Sequence, residues 1–290
     1  MTASATVDID LRRDFVEIHR AELARLGYDV CGLSGDDELL RAYFGVCRRL
    51  VLPMPRRIIK SKSFSYCPKH HDALAQIEQI IHKGGDITPY LSKNIKKVNY
   101  NDAMLNDWGI HHLHLGARIE RDGFVERTDM LLYCRFEKGH AYFVAVLPHG
   151  SWAKQELVKT IHENWPALID RYRVRGVVGD RVTDEEIKDL RKVNVNLFVE
   201  IENGVAYLPI GGGAVSSGEN VLDVRRADMC LHWADRMQEK IIDDFPDIKK
   251  RARDRGILFS DPAVFQMRIW QESFWMVEIN SAYGILLGTP

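Results

Sequence analysis

The chain has 290 residues, enough for one large domain or two modest ones. With 46% hydrophobic and 28% charged residues it has the balance of a folded soluble protein, and no apolar run approaches the ~20 residues of a membrane-spanning helix, so no membrane partner is expected. The net charge of −1 hides an asymmetry: Arg41 to Tyr100 holds twelve Lys/Arg against Asp72, Glu78 and Asp86, a formal +9. Such a stretch attracts polyanions such as nucleic acid, and a solvated basic face would read the same way. The N-terminal "MTASATVDIDLRRDF" lacks a secretory pattern. The five cysteines are odd in number, widely spaced and form no CxxC, which argues against a disulfide framework or a cysteine zinc site and for a cytoplasmic location.

The first hundred residues read mostly helical. "LRRDFVEIHRAELARLG" repeats apolar residues at helical spacing, from Leu11 to Leu26, and stops at Gly27. "DDELLRAYFGVCRRLV" does the same before Pro53 and Pro55 break the pattern. "RRIIKSKSFSY" reads as extended, and "HDALAQIEQIIHK" as a helix closed by Gly84-Gly85. The period then shortens. "GIHHLHLGARI", "TDMLLYCRF" and "AYFVAVL" are three strands, joined by "ERDGFVE" and by the tight turn "EKGH". "SWAKQELVKTIHENWPALI" is an amphipathic helix with Ser151 as N-cap, and "TDEEIKDLRKV" opens on a capping box, Thr183 to Glu186. "NLFVEIENGVAYLPI" is a hairpin about Asn203-Gly204. After "GGGAVSSGEN" a helical stretch runs from Val221 to Arg253, with Val224, Ala227, Leu231, Ala234, Met237, Ile241 and Phe245 on one face, and the last 35 residues form two or three strands.

These elements predict an α+β fold: a helical N-terminal part on an antiparallel sheet, then a long helix and C-terminal strands. The divisions fall at 1–98, mainly helical and basic; 99–210, the sheet with its histidines; and 211–290, which packs either separately or with the rest.

The histidine strand carries the chemistry. Alternation places Ile110, His112, His114, Gly116 and Arg118 on one face, and His111, Leu113, Leu115, Ala117 and Ile119 on the other. The second set is apolar and faces the core, taking His111 with it. On the neighbouring strand Tyr133 and Arg135 share a face, and His149 closes the third strand beside Ser151. His112, His114, His149, Arg118, Tyr133 and Arg135 are thus the candidate catalytic set. Imidazoles exchange protons near neutral pH, and guanidinium groups stabilise charge building on phosphate. That suits metal-independent RNA cleavage. One histidine takes the 2′-OH proton, another group protonates the leaving 5′ oxygen, and the arginines hold the pentacoordinate phosphate. His112 and His114 are the expected pair, with His149 the alternative acid. Arg56, Arg57, Lys60, Lys62, Lys93, Lys96 and Lys97 are the expected phosphate contacts, with Ser151 at a helix N-terminus.

A helical lead-in, three or four antiparallel strands and His, Arg and Tyr on an open face resemble the compact ribonucleases of the barnase–RelE–EndoU type. The resemblance covers residues 50 to 210 and rests on architecture and residue type. It implies an endoribonuclease acting as a toxin of a toxin–antitoxin or phage-defence system, with no cofactor, RNA as partner, and an antitoxin or other protein on the 221–253 helix. "HGS" (His149 to Ser151) also fits one of the two H-x-T/S motifs of two-histidine phosphoesterases, while "HLHL" lacks the hydroxyl residue.

Two other readings compete. "HLHLGARIE" supplies His112, His114 and Glu120, similar to the first motif of cupins, and "PHG" resembles the P-x-G of their second. That set would make a metal enzyme. A non-enzymatic module would instead use the basic segment for RNA or the long helix for a protein. Further along, "GGGAVSSGEN" would offer backbone N–H groups to a phosphate, and Trp270, Phe274 and Trp275 would stack bases or simply pack.

Overall fold

A computed structural model of the chain describes residues 6–176, 182–201 and 204–290. β1 (Val7–Asp8) leads into α1 (Leu11–Arg25), where the Asp10 side chain caps the Arg13 amide at 2.9 Å. α2 (Asp36–Arg49) opens on three acids and closes on Arg48 and Arg49, charges that suit the helix dipole. β2 (Arg57–Lys60) and α3 (His71–Lys83) follow, α3 ending at Gly84 as expected. α4 (Ala103–Trp108) is a short helix capped by Asp102 on the Leu105 amide at 3.0 Å. β3 (His111–His114), β4 (Met130–Glu137) and β5 (His140–Pro148) come next, then α5 (Glu156–Asn164) and β6 (Arg173–Arg175). α6 (Asp184–Lys192) carries both bonds of the predicted capping box between Thr183 and Glu186. β7 (Val199–Glu200) and β8 (Val205–Tyr207) pair antiparallel, while the predicted turn residue Asn203 lies outside the described residues. α7 (Val221–Asp243), α8 (Phe245–Asp254), β9 (Ala263–Trp270), β10 (Ser273–Glu278) and β11 (Gly284–Gly288) complete an α+β chain.

The chain divides differently from the linear boundaries at 98 and 210. Residues 45–223 form one unit, and both chain ends, up to 44 and from 224, form the other. The reason is pairing between the ends: β1 lies parallel to β9, and α1 packs on β9.

In the end-to-end unit the sheet order is β1-β9-β10-β11. Its core takes Leu11, Phe15 and Leu23 from α1 and Ala227, Leu231, Ala234 and Ile241 from α7. The expected single helix over 221–253 is two helices, broken at Asp244, with Pro246 in the first turn of α8. Its apolar stripe is largely buried in this core, while Leu222, Met229 and Ile242 of α7 are exposed. Phe274 packs on Phe15 and Trp233 with ring centroids 5.1 and 5.6 Å apart, whereas Trp270 is 59% exposed.

The other unit is built on the sheet β2-β5-β4-β3, with β2 parallel to β5 and the remaining pairs antiparallel. His112 stands opposite Tyr133, and His114 opposite Leu131. Between β4 and β5 the register slips: Tyr133 faces Ala145 while Cys134 faces Phe143, leaving Val144 as a bulge. Both faces of this sheet are covered. One buries Leu113, Leu132, Cys134 and Phe143 against Leu74, Ile77 and Ile81 of α3. The other buries Leu131, Tyr133 and Val144 against Leu157, Val158 and Ile161 of α5 and Ile187 of α6. The near-continuous apolar runs "MLLYC" and "AYFVAV" are the mark of such two-sided burial. The expectation of an open histidine-bearing face is corrected here.

Beside this sheet, Asp107 of α4 and Arg191 of α6 form a buried ion pair, Oδ2 to Nε at 2.7 Å, with the guanidinium 3.8 Å from the Trp108 ring centroid. Removing one partner strands the other charge in the interior. Asp107→Ala is therefore expected to cost about 3–5 kcal/mol in a urea titration. A loss below about 1 kcal/mol would mean that the pair does not hold α4 to α6.

Candidate active site

Strand β3 is shorter than its alternation suggests. It ends at His114 because the chain must pass Glu126: a Cβ on Gly116 would lie 2.4 Å from the Glu126 carbonyl oxygen. Beyond it the chain turns at Glu120–Gly123, and Ile119 bridges Val125. Arg118 therefore falls outside the strand, exposed to solvent, and does not join the histidines. Arg135 is only 6% exposed, and it donates to Glu137 at 2.8 Å and to the carbonyl oxygens of Ile210 and Trp108 at 3.2 and 3.4 Å. Its guanidinium braces the fold and is spent before any phosphate arrives.

The predicted histidines do converge. The ring centroids of His112 and His114 lie 6.4 Å apart, and those of His114 and His149 lie 6.2 Å apart. Trp152 closes the group, 4.9 Å from His149 and 6.3 Å from His112. Burial differs from ring to ring. His114 is 2% exposed, His112 is partly buried, and His149 stands at the surface. The Asp102 carboxylate lies 3.8 Å from His112 Nδ1, too long for a hydrogen bond but close enough for charge to act. Burial lowers the pKa of His112, and Asp102 works against it. His114 is pushed down to about 3, first by burial and then by the positive charge of Arg127. At neutral pH it is an uncharged ring.

His111 faces the other side, as the alternation predicts. Its ring meets Phe136 edge-on at 5.4 Å, and burial pushes it down to about 4. Tyr133 is fully buried opposite His112. Burial raises its pKa, and contact with Ser151 opposes that shift. Ser151 does not cap a long helix. It begins a single 3-10 turn, Ser151–Ala153, and α5 starts only at Glu156, with no side-chain cap from Gln155. Ser151 is buried beside the Tyr133 hydroxyl rather than set to bind an anion.

The alternative metal set does not assemble. Glu120 Oε2 is held by Lys93 at 2.6 Å, and among the described residues no three His, Cys, Asp or Glu side chains are placed to hold an ion.

The basic segment is largely committed to structure. Arg56 is buried and donates to the carbonyl oxygens of Leu52 and Glu137. Lys60 pairs with Glu78 at 2.8 Å, Lys93 with Glu120 and Asp122, and Lys96 donates to the Asp122 carbonyl oxygen. Arg57, Lys62 and Lys97 remain exposed, with no ion pair among the described residues. In "GGGAVSSGEN" the amides of Gly211, Gly212, Gly213, Ala214 and Val215 already donate within the protein, so no phosphate cradle forms there.

Three members of the site escaped the sequence reading: Asp102, Arg127 and Trp152. Asp102 had a local signal as the helix cap in "NDAML", and Trp152 directly follows "HGS". Arg127 lies on the loop before β4, where alternation has nothing to say. Comparison with protein-family models, curated proteins and solved structures finds no match to this chain.

Proposed function

We propose that the chain is an RNA-binding endoribonuclease that cleaves by 2′-OH attack without a metal, in a toxin-like or phage-defence role. The observation that carries this reading is the run of three imidazoles, partly buried His112, buried His114 and exposed His149, with a carboxylate near His112. In-line 2′-OH attack uses a base for the attacking hydroxyl and an acid for the leaving oxygen. The differing burial of the rings reassigns the roles. His112, steadied by Asp102, takes the 2′-OH proton, and His149 at the surface protonates the departing 5′ oxygen. The low pKa of His114 makes it a poor acid or base at neutral pH, so it positions the other two. Arg127, whose charge already reaches His112 and His114, takes the phosphate role first expected of Arg118 and Arg135. Trp152 offers a face for a ribose or base.

Purified protein is expected to cut single-stranded RNA in excess EDTA and to leave 2′,3′-cyclic phosphate ends. Cleavage abolished by EDTA and restored by one cation would overturn the metal-independent mechanism. RNA that is bound at low salt but never cut would leave a binding module in its place.

A further inference from the structure

A second polar cavity lies within the same unit as the histidines. Its volume is about 180 Å³, and its walls include Asn101, Asn106, Asp107, Arg191, Asn194 and Asn196. Sites for drug-sized ligands run from about 300 Å³ upward, so this one takes a single ring system. Four side-chain amides line this small space, those of Asn101 and Asn196 on exposed residues, and each carries both a donor and an acceptor. Two of them are used up by the walls. Asn106 accepts from Arg48 and donates to the Gly218 carbonyl oxygen at 2.8 Å. Asn196 exchanges bonds with Ala214 at 2.7 and 2.8 Å. The other two keep free groups. Asn194 spends its Nδ2 on the Ser216 carbonyl oxygen at 2.9 Å, and no side-chain bond of Asn101 occurs among the described residues.

Two charged residues of the wall are also incompletely matched. Asp107 Oδ1 and Arg191 Nη2 are buried without a hydrogen-bond partner among the described residues, although their neighbouring atoms form the 2.7 Å ion pair. Leaving buried polar groups unmatched costs about 1–3 kcal/mol each, which a polar ligand would offset. Gly218 also lines the cavity, where a side chain would crowd two of the amides. Gly218 has φ +91°, and a Cβ there would lie 3.1 Å from Asn194 Oδ1 and 3.3 Å from Asn101 Nδ2.

The cavity adjoins the candidate active site. Arg191 Nη1 donates to the Trp152 carbonyl oxygen, and the Trp152 ring touches His149 and His112. Asn101 precedes Asp102, the carboxylate beside His112. We propose that this cavity receives one unstacked nucleobase and reads its edge through Asn101 and Asn194, setting where the RNA is cut. In-plane donors and acceptors on amides match the edges of bases, and sequence-specific reading of RNA takes splayed-out single-stranded bases. The choice of ligand rests on the RNA-cleavage reading, whereas the cavity and its unmatched groups do not.

The test is calorimetric titration of the full chain with the four nucleoside 3′-monophosphates, alongside mapping of cut sites on an RNA of mixed sequence. One base is expected to bind at least 10-fold more tightly than the weakest, and cuts should follow that base. Asn101→Ala combined with Asn194→Gly should abolish the preference. Asn101 has no side-chain bond among the described residues, Asn194→Gly gives up only its exposed bond to the Ser216 carbonyl oxygen, and glycine accepts the φ of 57° there, so the thermal melt should change little. Ala103→Leu, at the exposed first residue of α4 on the cavity wall, should block binding in the same way. Equal binding of all four nucleotides, or a preference unchanged by these variants, would overturn the proposal. So would binding of free asparagine or glutamine in place of nucleotides. Selective nucleotide binding without any RNA cleavage would sink the ribonuclease reading and keep the base site. Cleavage at every nucleotide alike would do the reverse.

Discussion

His149→Ala and His112→Ala are each expected to lower RNA cleavage by about 10²–10⁴-fold, the usual loss when one positioned acid or base is removed. RNA affinity should change far less than the rate, because a positioned acid or base acts on the chemical step. The two variants should differ in stability. His149 is exposed, so its removal should leave the melt within about 0.5 kcal/mol of wild type. His112 is partly buried between Asp102 and Trp152, and truncation there opens space. Rescue provides the sharper readout. Added imidazole should restore part of the activity of His149→Ala, where the site opens to solvent, and much less of His112→Ala. Asp102→Asn should lower the rate by less than either histidine variant, because its carboxylate acts across 3.8 Å rather than through a hydrogen bond. Wild-type cleavage by His149→Ala would remove His149 from the mechanism.

Acidification should destabilise the fold well before its carboxylates titrate. An unfolded histidine binds its proton near pH 6.5, while folded His111 is pushed down to about 4 and His114 to about 3. Between those values the unfolded chain holds more protons than the folded one. Stability therefore falls as pH falls through this window. It is full above the unfolded value and lost progressively toward the folded values. By pH 5 each of the two rings should remove roughly 2 kcal/mol. Unfolding free energies from urea titrations at pH 7 and pH 5 should then differ by roughly 4 kcal/mol from these two rings in wild type, and by about half as much in His111→Leu. Equal midpoints at the two pH values would show that the rings are not held neutral.

Local pattern carried most of the secondary structure. Helices α1, α2 and α3 stand where apolar spacing placed them, because each buries one stripe and needs nothing more specific. The capping box at Thr183 is equally local. The break at Asp244 went unread because apolar spacing continues through Ile241, Phe245 and Ile248, all of them buried. Pro246 was the available signal.

The candidate site was legible only in part. Alternation correctly separated His111 from His112 and His114, since neighbours on a strand must face opposite ways. It failed for Arg118, because Gly116 packs on Glu126 and the strand stops at His114. It also failed for Arg135, whose face is right but whose guanidinium is claimed by carbonyl groups remote in sequence. A residue's charge can be read from the chain, but the partners that neutralise it cannot.

By itself the sequence determined most of the helices and strands, the α+β class and the placing of His112 and His114 on one strand face. These follow from periodicity, which is a property of neighbours along the chain. Tertiary structure alone decided that α5 and α6 cover this face, that His149, Trp152 and Asp102 meet His112 and His114, and that Arg191 and the asparagines enclose a cavity beside them. Those outcomes depend on contacts between segments up to about a hundred residues apart, from Asn101 to Gly218. They are set by which faces must be buried together, and no local spacing records that.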